Sequence, residues 1–336
     1  MFVTKRLRSQ WSSLLNLPLY VKHYNVAVVG GGSEMGQVAC MLLRGEPNIT
    51  KLTIHDTLPY ITGTIMDISH IPSEPKIKGF TGDTNLYKAI EDADIILATG
   101  GICETPGIPN KDIFLTNTTF IKNFAKAVSG LRHIPFVGIA TEPINTLVPI
   151  AAEIMRCSGD LSLNKLFGIT GIDALRAQTL YATKCNLNAN NCTVHVIGGH
   201  SEKTMVPLLS QAMPLVNLDQ ALIQELTMKI RSGDEIITDA KNGHGPALAN
   251  AYGVLLFTRA ILRALDGKLT PVHAYVENND FGTSFFSGLV YVDKNGAGEM
   301  ARYTNLSEFE CDLLEESINS LRIAIDSSKK VVEVDH

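Results

Sequence analysis

The 336-residue chain lacks the features that mark several specialised classes of protein. It has no basic excess, because 29 Lys and Arg residues stand against 34 Asp and Glu residues, a formal net charge of −5. Proteins that bind the phosphates of nucleic acid usually have an excess of Lys and Arg, so nucleic acid is not a predicted partner. No apolar run approaches the roughly 20 residues of a membrane-spanning helix, so the sequence predicts no membrane span.

The six cysteines form neither a CxxC motif nor any ligand-like spacing. In a chain too long to depend on disulfides, this scatter predicts free thiols in a reducing compartment and no bound metal. Internal repeats and long Pro- or Gly-rich linkers are also missing. With 45% apolar and 19% charged residues, the composition is globular, and the length favours two closely packed domains.

Acidic residues are absent before Glu34, whereas Lys5, Arg6, Arg8 and Lys22 precede it, with serine and apolar residues between them. A basic, serine-bearing and acid-free start is typical of a mitochondrial transit peptide. We therefore predict such a segment over residues 1–23 and localisation in the mitochondrial matrix. A disordered or docking arm has the same composition, so that interpretation also stays open.

Short β-branched apolar runs alternate with helix-length segments after residue 24. The predicted buried strands are Asn25–Gly30, Lys51–His55, Asp94–Ala98 and Phe136–Ala140. Strands separated by helices indicate βαβ units and a parallel sheet covered on both faces. The predicted fold class is α/β, with a Rossmann-type doubly wound parallel sheet over residues 24–168.

The spacing becomes less regular after about residue 168. Long helical patterns cover Leu218–Arg231 and Pro246–Leu265, and Phe285–Asp293 leads into Asn295-Gly296 like the first arm of an antiparallel hairpin. Ser307 and Glu310 have the spacing of a capping box before a final helix. We therefore predict a second, α+β domain over residues 169–330.

The first predicted strand runs into a glycine-rich turn, Gly30-Gly31-Gly32-Ser33-Glu34-Met35-Gly36, and Asp56 ends the next strand 20 residues later. Glycine permits a tight turn and close approach of a pyrophosphate, which the following helix N-terminus attracts. A carboxylate at that strand end accepts the adenosine ribose hydroxyls and repels the 2′-phosphate of NADP. The order of these elements predicts NAD bound by Gly30, Gly32, Gly36 and Asp56. A purely structural glycine turn in another doubly wound fold is the alternative.

Further stretches extend the pattern over nearly the whole chain: Leu52–Asp56, Asp67–Ile71, Thr99-Gly100-Gly101 with Pro106-Gly107 and Thr116-Asn117, Phe167–Thr170, and Ile197-Gly198-Gly199-His200. From Tyr24 to about Lys330 the sequence resembles the NAD-dependent malate dehydrogenases of the lactate/malate dehydrogenase superfamily, the mitochondrial type in particular. The resemblance implies a catalytic domain of that type, a homodimer, a role in the tricarboxylic acid cycle, and cofactor contacts from Gly100 and Asn117.

The resemblance also implies three catalytic residues. His200 would be the acid/base that exchanges the hydroxyl proton of a 2-hydroxy acid, since an imidazole pKa lies near working pH. Asp173 would hold the other ring nitrogen and stabilise the imidazolium, as a carboxylate does in a hydrolase triad. If residues 172–182 are helical, Arg176 lies on the same face as Asp173 and can bind a substrate carboxylate bidentately.

The substrate loop departs from the family pattern. The family supplies two arginines from this loop, and the aligned positions hold Glu104 and Asn110. Glu142 likewise replaces an asparagine that contacts nicotinamide and substrate. A charge pair ~4 Å apart at an effective dielectric of ~20 is worth roughly 4 kcal/mol, so an acid in place of an arginine removes the preference for a C4 dicarboxylate.

Two hypotheses follow from these matches and departures. In the first, the chain is an NAD-dependent oxidoreductase for a 2-hydroxy or 2-oxo acid, with altered or weakened malate specificity. In the second, it is a catalytically impaired homologue, with weakened or absent NAD binding, that has a structural or regulatory role beside a protein partner in a mitochondrial assembly. The retained His200, Asp173 and Arg176 favour the first, and Glu104, Asn110 and Glu142 favour the second.

Overall fold

The computed structural model describes residues 23–103, 107–159 and 163–333. The predicted transit peptide, apart from its last residue, and Glu104 lie outside these ranges. The described residues form eleven strands and ten α-helices.

The strands are β1 (Tyr24–Val29), β2 (Ile49–Asp56), β3 (Lys76–Thr81), β4 (Ile95–Ala98), β5 (Phe136–Ile139), β6 (Leu166–Ile169), β7 (Val196–Gly198), β8 (Met205–Pro207), β9 (Thr270–Glu277), β10 (Phe285–Asp293) and β11 (Gly296–Met300). The helices are α1 (Glu34–Leu43), α2 (Ile61–Ser69), α3 (Leu86–Ile90), α4 (Asn110–Ser129), α5 (Ile144–Cys157), α6 (Gly171–Lys184), α7 (Gln220–Arg231), α8 (Gly233–Ala240), α9 (Ala247–Leu265) and α10 (Glu308–Glu333).

The first half of the chain forms a doubly wound parallel sheet in the order β3-β2-β1-β4-β5-β6. All residues of β4, β5 and β6 are buried, because helices cover both faces and leave no polar side to the strands. The four predicted strands are confirmed to within two residues at each end. The α/β fold class is therefore confirmed.

The sheet continues without a break into the second half. Strand β6 pairs antiparallel with β9, β9 with β10, and β10 with both β7 and β11. The hairpin predicted at Asn295-Gly296 joins β10 to β11. Backbone hydrogen bonds thus connect the two halves, which form one mixed sheet.

Two long helices complete the second half. Among the described helices, α9 alone is long and apolar enough by length and composition to cross a membrane, but 56% of its apolar window is buried within the fold, as in a core helix. The capping box that begins α10 is confirmed, since Ser307 N donates to Glu310 Oε2 at 2.9 Å and Glu310 N to Ser307 Oγ at 3.3 Å.

From β1 the chain first adds β2 and β3 on one side of the sheet and then β4, β5 and β6 on the other side. The strand order therefore reverses between β1 and β4. In open α/β sheets, ligands bind beyond the carboxyl ends of the strands at such a reversal. Here the glycine turn follows β1, Gly100 follows β4, and Glu142 follows β5. The fold therefore brings three segments that the sequence analysis singled out to one edge of the sheet.

Candidate active site

A cavity of about 670 Å³ opens at the point where the strand order reverses. The first half contributes Met35, Gly100, Asn117 and Glu142 to its wall, and the second half contributes His200 and residues of α8 and α9. The cavity therefore lies between the predicted nucleotide-binding half and the predicted substrate half.

The glycine turn is packed too closely for any side chain at its first position. A Cβ added at Gly30, whose φ is +88°, would lie 2.0 Å from Gly100 Cα. Ser33 directs its hydroxyl back into the protein, where it accepts from Gly36 N at 2.9 Å and donates to Thr99 O at 2.7 Å. The serine thus caps α1 and does not obstruct the turn.

Asp56 lies at the end of β2 and faces this turn. Its Oδ2 accepts from Gly32 N at 2.8 Å, and its Oδ1 accepts from Thr57 N at 2.7 Å. The carboxylate is held against the turn by backbone donors, at the position expected for a ribose contact. The close-packed turn, the capped helix start and the oriented acid together fit NAD. Gly30, Gly32, Gly36 and Asp56 would hold its adenosine and pyrophosphate portions.

Asn117 and Gly100 also line the cavity. Asn117 is 1% exposed, accepts from Ile102 N at 2.7 Å and donates to Glu142 O at 2.8 Å. The amide therefore ties the segment after β4 to the segment after β5. In a cofactor site, Asn117 would hold these two backbones in place.

His200 is placed by a close approach of backbones after β7. Gly198 has φ +103°, and an added Cβ would lie 2.1 Å from Thr204 O. At Gly199 an added Cβ would lie 2.7 Å from Asn145 Oδ1, the atom that accepts from His200 N at 2.8 Å. The double glycine lets this asparagine fix the histidine backbone, a contact that sequence reasoning missed.

The His200 ring lies between two carboxylates. Its Nδ1 is 2.7 Å from Asp173 Oδ2, and its Nε2 is 2.8 Å from Glu142 Oε1. The His200 and Asp173 side chains are each only 3% exposed. Burial alone lowers the pKa of His200, but the charges and hydrogen bonds of Asp173 and Glu142 outweigh it and raise that pKa well above its ordinary value. The structure therefore favours an imidazolium that donates from both nitrogens.

Arg176 lies on α6 one turn after Asp173, as the helical spacing predicted. Its guanidinium forms an ion pair with Asp234 on α8 and donates to Ile230 O at 3.3 Å. Asp234 Oδ2 also lies 3.9 Å from His200 Nε2. The arginine that the resemblance assigns to a substrate carboxylate thus already has a carboxylate partner from the protein itself.

No sequence pattern indicated a role for Asp234. It lies 58 residues from Arg176, in the first turn of a short helix that no family motif marked. An acid near a helix N-terminus ordinarily indicates only a favourable interaction with the helix dipole. Of the two loop departures, Asn110 is exposed at the start of α4 and lines the cavity, whereas Glu104 lies outside the described residues.

Comparisons with known proteins identify the family of the chain. The profile of the lactate/malate dehydrogenase NAD binding domain matches residues 24–168, and that of the lactate/malate dehydrogenase alpha/beta C-terminal domain matches residues 170–332. Malate dehydrogenase 1, mitochondrial, from Arabidopsis thaliana is 34% identical over 92% of this chain and 91% of its own length. A bacterial malate dehydrogenase from Idiomarina loihiensis is 36% identical over 88% and 96%.

Solved structures show the same fold. Malate dehydrogenase from Cryptosporidium parvum superposes with a TM-score of 0.78, at 22% identity, over 92% of this chain and 99% of that one. Lactate dehydrogenase from Cryptosporidium parvum, solved with lactic acid and nicotinamide adenine dinucleotide, gives 0.76 at 23% identity, over 92% and 98%. The predicted cofactor, NAD, is confirmed by the match of the first half to the NAD binding domain. Since both domain profiles match in order and together span the described fold, the chain is a member of the lactate/malate dehydrogenase family.

Proposed function

We propose that this chain is an NAD-dependent oxidoreductase that interconverts a small 2-hydroxy acid and its 2-oxo acid, with altered or weakened specificity for malate. The observation that supports catalysis is the buried contact of 2.7 Å between His200 Nδ1 and Asp173 Oδ2 at the base of the cavity. A buried pair of this kind holds a proton at the opposite ring nitrogen, where a substrate oxygen can receive it.

Each residue then has a defined task in reduction of the 2-oxo acid. NAD in its reduced form, when bound, supplies the hydride to the carbonyl carbon. His200 donates its Nε2 proton to the carbonyl oxygen, and Asp173 keeps the ring oriented and stabilises the charged form before transfer. Arg176 binds the carboxylate next to the carbonyl after that carboxylate displaces Asp234. Oxidation of the hydroxy acid reverses these steps, with neutral His200 as the base.

The experiment that tests this proposal uses the purified full chain with NADH and a panel of 2-oxo acids that includes oxaloacetate and pyruvate. We expect NADH to bind in a calorimetric titration and at least one acid to be reduced, with oxaloacetate a poor substrate. Efficient turnover of oxaloacetate would contradict the altered specificity. If the protein neither binds NADH nor reduces any of the acids, the proposal that it is an oxidoreductase is wrong.

A second function is favoured by a specific observation. Glu142 is paired with His200 Nε2, and Asp234 is paired with the Arg176 guanidinium. These are the two groups that a substrate would contact. A catalytically impaired homologue with a structural or regulatory role in a mitochondrial assembly would tolerate such internal pairing. It is distinguished by the absence of turnover with every acid of the panel while the protein remains folded.

The cellular setting belongs to the same proposal. The relatives include mitochondrial and bacterial malate dehydrogenases, so they support a metabolic role without fixing the compartment. We propose the mitochondrial matrix on the basis of the N-terminal composition, and a homodimer as in the family that the sequence resembles. Fluorescent-fusion imaging and sedimentation of the purified protein test these two statements.

A further inference from the structure

The charge of the cavity wall is unusual for a site that would receive a dianion. Five carboxylate residues line it: Glu142, Glu202, Asp234, Glu235 and Asp239. Among the lining residues in the described ranges, there is no lysine or arginine to balance them, and His200 is the sole basic side chain. Arg176 stands just behind this wall with its charge already paired to Asp234.

Two of these acids approach the His200 ring. The Glu142 and Asp234 side chains are 43% and 37% exposed, and both approach His200 Nε2, at 2.8 Å and 3.9 Å. A second carboxylate on a substrate would meet both acids at close range, where like charges repel. A cation in the same place would interact favourably with both.

Two residues of the same wall carry buried oxygen atoms that have no hydrogen-bond partner among the described residues. Thr238 is 9% exposed and lines the cavity, yet its hydroxyl oxygen has no hydrogen-bond partner among the described residues. Asn250, which also lines the cavity, has an amide oxygen in the same condition within those residues. Buried polar atoms without partners are costly, and an amide oxygen can only accept a hydrogen bond. The Asn250 amide oxygen therefore lacks a donor, which an ammonium or guanidinium group can supply.

We propose that the substrate is a 2-hydroxy or 2-oxo acid whose side chain ends in an ammonium or guanidinium group. This inference rests on the proposed oxidoreductase function. The substrate carboxylate takes Arg176 from Asp234, and the substrate cation takes the released Asp234 together with Glu142. The exchange gives the two released acids a cation to share, whereas a dicarboxylate would release both acids and offer neither a partner. The redox step itself is unchanged: hydride moves between substrate carbon and cofactor, and the proton moves between the substrate oxygen and His200.

Three hydroxy acids of equal chain length test the inference, because they differ mainly in the terminal group. They are 4-amino-2-hydroxybutanoate, which is cationic there, 2-hydroxypentanoate, which is its uncharged isostere, and 2-hydroxyglutarate, which is anionic. Each is assayed as both enantiomers with NAD. We expect kcat/KM for the ammonium compound to exceed that of the uncharged isostere about tenfold or more, since one charge-assisted hydrogen bond supplies that much. The anionic compound should be the poorest.

Variants assign the preference to named side chains. Asp234→Asn should reduce the ratio of ammonium to uncharged substrate by about tenfold, through the same interaction. Glu225→Gln is the matched control, because this exposed acid on α7 pairs with Lys184 and Lys229 and is not part of the cavity wall. Its ratio should equal that of the unaltered protein.

The outcomes separate the two proposals. Turnover that is fastest with the uncharged or the anionic compound overturns the cationic substrate and leaves the oxidoreductase standing. An unaltered ratio in Asp234→Asn likewise overturns the assignment. Failure to turn over any of the three compounds, together with failure on the 2-oxo acid panel, overturns the oxidoreductase and this inference with it.

Discussion

The Glu142 carboxylate is a hydrogen-bond partner of His200, with 2.8 Å between Oε1 and Nε2. The same carboxylate accepts from Ile144 N through Oε2 at 3.0 Å, so the acid is held in place from both oxygens. It thereby stabilises the charged imidazole at Nε2, the atom that releases the proton in the proposed reaction. This single contact links the departure from the family sequence to the proton chemistry of the site.

The first prediction concerns the pH dependence of kcat/KM, which reports the free enzyme. A raised His200 pKa keeps the ring protonated to higher pH, so reduction of a 2-oxo acid, which needs the proton, should persist well above pH 6.5. Oxidation needs the neutral ring and should rise only at higher pH. In Glu142→Gln one of the raising charges is gone, so the alkaline limb of reduction should move to lower pH. An unmoved limb would mean that Glu142 does not act on His200 in solution.

The second prediction tests the proton donor directly. His200→Asn should lower turnover by roughly 10²–10⁴-fold, the usual contribution of general acid–base catalysis, while NADH still binds. His133→Asn serves as control, because this exposed histidine lies away from the cavity. Steady-state rates and calorimetric binding are measured on both. Equal turnover in the two variants would remove His200 from the mechanism.

The third prediction concerns a variant in which the two loop arginines of the family are restored. The double variant Glu104→Arg with Asn110→Arg should raise kcat/KM for oxaloacetate by about tenfold to a hundredfold, since a charge-assisted hydrogen bond contributes ~1.5–3 kcal/mol. Lysine at the same two positions is the matched control for net charge, because it lacks the planar fork. If neither pair raises the rate, acids elsewhere in the cavity dominate substrate choice.

The fourth prediction concerns the stability of α10. Glu310 is 2% exposed and accepts from Ser307 N at 2.9 Å and from Ser210 N at 3.0 Å. Glu310→Ala leaves these donors without partners and should lower the free energy of unfolding by about 3 kcal/mol. Glu308→Ala, an exposed acid in the same helical turn, should change it far less. Urea denaturation of both variants measures the difference.

The fifth prediction concerns the N-terminal segment. Removal of residues 1–22 should leave a folded protein, because β1 begins at Tyr24, and should abolish import into mitochondria. Imaging of full-length and truncated fusions measures localisation, and circular dichroism checks folding. Mitochondrial localisation of the truncated form would refute the transit-peptide prediction and favour a docking arm.

The core of the first domain was predictable because its strands are buried on both faces and so read as continuous apolar runs. Strand β3 was missed because Lys76 and Lys78 are exposed on an edge strand, where only pairing with β2 defines the conformation. The glycine turn and Asp56 were predictable from local spacing. The contact of His200 with Asp173 was predictable only from the family resemblance. The ion pair of Arg176 with Asp234 depends on how α8 packs, which no local sequence pattern indicates.

Helix α8, which carries Asp234, consists of eight residues and is not part of the sheet. His200, in contrast, lies two residues after the end of β7, and neither Gly198 nor Gly199 before it leaves room for an added carbon. Under the proposed function, single substitutions in α8 should therefore change which substrates are accepted without altering the proton transfer at His200.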